Sequence, residues 1–138
     1  MAQFIEFLGN HPLLFGCCLA AFVAIVFYHQ RTGAKGVSPA QAVALINRSE
    51  AVVVDIRDKK EFDEGHIVAA LHIPAAKLAQ RLAELKKKQG KPVIVVCKMG
   101  QQAGESVKAL EAAGFDPVYK LLGGMTEWRG QSLPVVMK

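Results

Sequence analysis

The first thirty residues contain no lysine and no arginine, although the 138-residue chain carries 17 of them. Cysteine is also scarce: there are three, an odd number, with no C-x-x-C pair. A disulfide framework or a zinc site is therefore a poor reading. No heptad, tandem repeat or low-complexity tract appears. Aromatics do not interleave with the basic residues, so nucleic acid is not indicated as a partner. What is abundant is apolar surface, at 51% of residues. The chain can bury a core, and its length suits one domain with an appendage.

From Phe7 to Gln30 the sequence FLGNHPLLFGCCLAAFVAIVFYHQ holds no formally charged residue. As a helix it would reach about 36 Å, against a hydrocarbon core of about 30 Å. Leu13 to Tyr28 is its most apolar part, and it shows no polar face. A membrane-spanning helix over about residues 8–28 therefore fits better than a buried core helix. Phe4, Ile5, Phe7 and Leu8 extend it at one interface, and Tyr28 suits the other. A cleaved signal peptide would want lysine or arginine before the apolar run, and Glu6 is the only charged side chain there. A lipoprotein site at Gly16-Cys17 meets an apolar run that continues well past it. Residues 1–30 read as an uncleaved anchor.

All 17 basic residues, with 11 of the 12 acids, follow that segment. Arg31 and Lys35 come first, so the positive-inside rule puts the C-terminal side in the cytoplasm. Residues 31–37, with Gly33 and Gly36, read as a linker. From His29 to Val37 the chain reaches at most about 30 Å, so the domain works near the membrane. Lys86-Lys87-Lys88 with Lys91 suits an anionic leaflet, or the solvated end of a helix. Gly16, Ala20 and Ala24, at four-residue spacing, are a weak pattern for helix packing.

From residue 38 onward, apolar strands alternate with helices. Ser38-Pro39 is a helix start, with a serine N-cap and proline at the first position. Ala51–Val54 is a short strand ending in Asp55-Ile56-Arg57. Lys59–Glu64 is a polar turn or short helix. Apolar residues at 75, 78, 82 and 85 predict an amphipathic helix over Ala75–Lys88. Val93–Val96 is a β-branched strand with the look of burial on both faces. A helix over Ala103–Ala113, a strand over Val118–Leu122, the Gly123-Gly124 turn and a short helix from Met125 complete the chain. This is α/β order: an open parallel sheet with helices on both faces. In such sheets the functional site lies at the carboxyl ends of the strands.

Cys97 sits at such an end, in VIVVCKMGQQAGESVKAL. A lone cysteine after a buried strand is often only a small hydrophobe. The loop says more. Lys98 places a cation next door, Gly100 permits a tight turn, and the following helix would aim its unpaired N–H groups back at the sulfur. Such a loop suits an anion on or near sulfur: a thiolate, a persulfide or an oxyanionic donor.

Two stretches carry a family resemblance. VVVDIRDKKEFDEGHIVAALHIP, residues 52–74, resembles the D-x-R…E-F…GHI…A…IP signature of rhodaneses. VIVVCKMGQQAGESVKALEAAGF, residues 93–115, with LLGGMTEW, residues 121–128, resembles their active-site loop and GG-x…W close. The domain, residues 38–138, is similar to single-domain rhodaneses. With its anchor, the chain resembles bacterial membrane-anchored rhodanese-like proteins of the inner membrane.

The resemblance implies a sulfurtransferase. Cys97 would take sulfane sulfur from a small donor as a covalent persulfide, without a cofactor or metal. It would then pass the sulfur to a thiol or protein acceptor. Lys98, Met99, Gly100, Gln101 and Gln102 would cradle that sulfur. Asp55 and Arg57 would scaffold the site, with Arg57 paired to Glu61. His66, His72, Gly123-Gly124 and Trp128 read as turn, loop and packing residues. Many active rhodaneses place arginine directly after the cysteine, and often a cation or hydroxyl at the loop's last position. Lys98 and Gln102 stand there instead, which points away from thiosulfate as the native donor. The phosphatase branch of this fold needs C-x₅-R, and position 103 is alanine. The other reading is a non-catalytic docking module that recruits a cytoplasmic partner to the membrane, for instance to a membrane protein.

Overall fold

In the computed structural model, residues 1–137 are described, apart from the side chains of residues 30–32. The chain divides into two compact units, at Met1–Gly33 and from Ala34 onward.

The first unit is two helices, α1 (Ala2–Asn10) and α2 (Pro12–Thr32). The apolar stretch is thus not one helix from residue 8. His11 leaves the helical region at φ −130°, ψ 58°. Pro12 explains the break: it has no N–H to donate, and its ring disfavours helical geometry in the residue before it. Pro12 then occupies the first turn of α2, where a missing N–H costs nothing. Within α2, the 18 residues Pro12–His29 are long and apolar enough to cross a membrane, and none is buried within the chain.

The second unit is a five-stranded sheet, with all neighbours parallel: β1 (Gly36–Val37), β2 (Val52–Asp55), β3 (Leu71–His72), β4 (Val93–Val96) and β5 (Val118–Leu121). Their spatial order is β1-β5-β4-β2-β3. Every residue of β2 and β4 is buried. Alternation sorts their side chains to two sides. Val52, Val54, Val93, Val95 and Cys97 join one apolar cluster, together with Leu85, Val107 and Leu110. Val53, Ile94 and Val96 join the other, together with Ala42, Met125 and Trp128. Helices α5 (Leu82–Lys86) and α6 (Ala103–Ala112) cover the first face. Helices α3 (Pro39–Ser49) and α7 (Gly124–Gly130) cover the second. The short α4 (Lys59–Asp63) follows β2.

Helix α3 begins as its sequence requires. Ser38 Oγ accepts from Gln41 N–H at 3.2 Å, and Gln41 Oε1 accepts from Ser38 N–H at 2.9 Å. This reciprocal box satisfies two otherwise unpaired donors.

Two further expectations change. Gly36 and Val37 are not linker but an edge strand, paired with Lys120 and Leu121. The expected helix Ala75–Lys88 is instead a 3-10 turn at Ala75–Lys77, turns, and α5. Spacings of three and four are met by either arrangement, because tighter turns also bring i and i+3 together. Leu78 and Leu85 are buried as the pattern required. Arg81, at φ −105°, ψ 12°, breaks the run and donates from Nη1 to His72 O at 2.8 Å.

Candidate active site

Strand β2 has β3 on one side and β4 on the other. The connections diverge there, which opens a crevice at the carboxyl ends of β2 and β4. Two loops line it.

The loop after β2 is closed by charge. Asp55 and Arg57 are 1% and 7% exposed. Arg57 donates from Nε to Asp55 Oδ1 at 2.9 Å and from Nη2 to Oδ2 at 2.6 Å. Its backbone N–H also reaches Oδ1 at 3.0 Å. Nη2 further donates to Gly65 O at 2.8 Å, where Arg129 Nη2 adds a second contact at 3.3 Å. The expected Arg57–Glu61 pair does not form. Arg57 precedes α4, so the helical i, i+4 geometry that spacing suggests is unavailable to it.

Beneath this loop, Phe62 stacks between two histidines, 3.7 Å from the His66 ring and 4.5 Å from that of His72. His66 Nδ1–H donates to Phe62 O, and His72 Nε2–H to Arg57 O, both at 2.8 Å. Both rings are thereby committed to holding backbone. His72 does more than its sequence position suggested.

The loop after β4 carries Cys97, 2% exposed. Gly100 N–H donates to Cys97 Sγ at 2.9 Å. Gly100 adopts φ +86°, a left-handed conformation that L side chains rarely take. The loop's carbonyls are drawn the other way. Met125 N–H donates to Cys97 O at 2.9 Å, and Thr126 donates to Lys98 O from both N–H and Oγ1 at 3.0 Å. With carbonyls held by α7, an N–H can face the sulfur.

Gly124 makes that clamp possible. A Cβ there would collide with Cys97 O and with Lys98 O. Gly123-Gly124 is thus more than the turn its sequence suggests. A glycine pair directly after a strand is the sequence mark of such a place, where one backbone approaches another closely.

The crevice is a cleft of about 510 Å³. Cys97, Lys98, Met99, Gln101 and Gln102 line it from one side, and Arg57, Asp58 and Glu61 from the other. Ile56, Pro74, Ala75 and Ala76 complete the wall. The structure therefore brings Cys97 together with four of the five loop residues named from sequence and with Arg57. Gly100 is buried behind the sulfur, and Asp55 lies beneath Arg57. Glu61 meets Lys98 instead of Arg57, with Lys98 Nζ 3.6 Å from Glu61 Oε1. Among the described residues, no group of three or more His, Cys, Asp or Glu could hold a metal ion.

The rhodanese-like domain family model matches residues 38–131, and the chain belongs to that family. The uncharacterized protein YibN of Escherichia coli (strain K12) is 37% identical over 140 residues, covering 99% of this chain and 98% of that one. The thiosulfate sulfurtransferase GlpE of Coxiella burnetii (strain RSA 493) is 37% identical over 95 residues, covering 69% of this chain and 87% of that protein. Among solved structures, a rhodanese-related protein of Thermoplasma volcanium matches with a TM-score of 0.68 at 24% identity. It covers 75% of this chain and 99% of that one, a likeness of fold. The chain is a single-domain rhodanese-like protein with a sulfurtransferase-type fold and an apolar N-terminal helix.

Proposed function

We propose that this chain is a membrane-anchored sulfurtransferase that carries sulfane sulfur as a persulfide on Cys97. The observation that carries the reading is the Gly100 N–H on Cys97 Sγ, in a cleft at the carboxyl end of β4. An N–H so placed stabilises negative charge on Sγ, where the attacking thiolate carries it and to which it returns when the outer sulfur leaves. Met99, Gln101 and Gln102 form the mouth, and the Asp55–Arg57 pair holds the opposite wall. The family membership and the GlpE relative support the same chemistry.

The cycle has two displacements. The Cys97 thiolate attacks the outer sulfur of a donor, and the donor's S–S bond breaks with its electron pair on the leaving group. An acceptor thiolate, on a small molecule or a protein, then attacks the outer sulfur of Cys97 persulfide and releases the Cys97 thiolate. Helix α2 anchors the chain in the bacterial inner membrane, with the basic side and the rhodanese-like domain in the cytoplasm.

The test is turnover by the full chain in detergent, with thiosulfate or an organic persulfide as donor and cyanide as acceptor. Thiocyanate release by the parent, and a loss of about three orders of magnitude in Cys97→Ser, is the expected result. Equal rates in the two proteins would rule the reading out and favour a docking module.

A further inference from the structure

Four charged side chains line the cleft, and their charges cancel. Arg57 is taken up by Asp55 and Gly65 O. Lys98, whose side chain is 71% exposed, faces Glu61 at 3.6 Å. Asp58 adds a second carboxylate. No cation lining the cleft is left without an acid beside it. A dianion entering here loses water and meets no uncommitted positive charge in return. Lysine offers only a point charge, without the fork that grips an oxyanion from two sides.

A second hollow of about 660 Å³ adjoins the cleft and shares Ala75, Gln101 and Gln102 with it. Leu78, Ala79 and Ala109 give it an apolar surface, and Glu105 is its one charged lining residue. This surface suits an uncharged organic body and repels an anionic one.

We propose that Glu61 is a specificity-determining residue: by pairing with Lys98 it sets the Cys97 cleft against dianionic donors and in favour of an organic persulfide of low charge, whose body lies in the adjoining hollow. The proposal rests on Cys97 being the sulfur carrier. In the loading step the Cys97 thiolate attacks the terminal sulfur of R–S–SH. A new S–S bond forms to Cys97, the old one breaks, and its electron pair leaves on the thiolate RS⁻. The proton stays on the transferred sulfur, so no oxidant or reductant is consumed. With thiosulfate the same step must bring a dianion past Glu61 and expel sulfite.

The experiment uses the full chain in detergent and follows the rate of sulfur loading by intact mass. The donors are thiosulfate and the persulfide of N-acetylcysteine methyl ester, which carries no charge outside its sulfurs. The parent should load from the organic persulfide about tenfold faster or more. Glu61→Gln should raise the thiosulfate rate about fivefold at low ionic strength, with the gain shrinking as salt screens it. The same change should leave the organic donor within about twofold, since no charge is at stake. Ala109→Trp, which fills the hollow, should slow the organic donor and spare thiosulfate. A parent that prefers thiosulfate, or a Glu61→Gln protein with an unchanged thiosulfate rate, would overturn the proposal. A parent that gains sulfur from neither donor overturns the carrier reading itself, and this proposal with it.

Discussion

The loops after β2 and β4 leave neighbouring, fully buried strands at the same end of the sheet, yet they solve opposite problems. The β2 loop buries a charge pair, 1% and 7% exposed, and satisfies it within the chain. The β4 loop buries a thiol and surrounds it with exposed Lys98, Met99, Gln101 and Gln102. A buried charge demands a partner, whereas a thiol behaves as a small hydrophobe and does not. The first loop can therefore be rigid and finished. The second can leave its sulfur available to a ligand, with its shape imposed from outside by α7.

Breaking the first loop should have the largest effect. Arg57→Met strands Asp55 as a buried carboxylate without its guanidinium, and should cost about 3–5 kcal/mol in urea unfolding. The double change Asp55→Leu with Arg57→Met should cost less than Arg57→Met alone, because no orphaned charge remains. Additive costs would show that the two residues do not act as a unit.

The second loop should fail by displacement. Gly124 has φ +57°, and a Cβ there has no room beside Cys97 O and Lys98 O. Gly124→Ala should cost about 2 kcal/mol or more from backbone strain and collision. It should also lower sulfur transfer at least about tenfold, because the Cys97 loop must shift. Unchanged transfer would show that the clamp does not set the sulfur's position.

A contact outside both loops sharpens the contrast by its smallness. Arg81 donates to Glu84 at 2.7 and 2.8 Å, and this hydrogen bonding, aided by the guanidinium charge, holds the Glu84 carboxyl below its ordinary range. A carboxyl lowered on folding stabilises above its unfolded pKa, and the benefit is lost as pH falls through the folded value. Glu84→Gln should therefore lower Tm slightly at about pH 7, with the difference fading towards about pH 3. A difference that grew on acidification would contradict the sign.

The strands and the sulfur were the most legible parts. Val52–Val54 and Val93–Val96 announce burial on both faces, and Cys97 follows the second directly. The cap at Ser38-Pro39 was equally plain, because capping is a local matter. What escaped was set by long-range contact. Two residues, Gly36 and Val37, are too few to show a period, and only β5 makes them a strand. Arg57 chooses Asp55 over Glu61 because of where the chain turns after β2. The clamp from Met125 and Thr126 spans about thirty residues of sequence and acts through backbone, which side-chain patterns do not record. Pro12 was different: its effect on His11 is local, and it divides the apolar stretch where its ring requires.

The most direct measurement is to locate the transferred sulfur. The chain has three free cysteines: Cys17 and Cys18, both exposed in α2, and Cys97, buried at the cleft. After loading with an organic persulfide, the protein is digested and each cysteine peptide is weighed. A gain of about 32 Da, one sulfur atom, on the Cys97 peptide alone is the expected result. A gain confined to Cys17 or Cys18, or no gain from folded protein, would contradict the account.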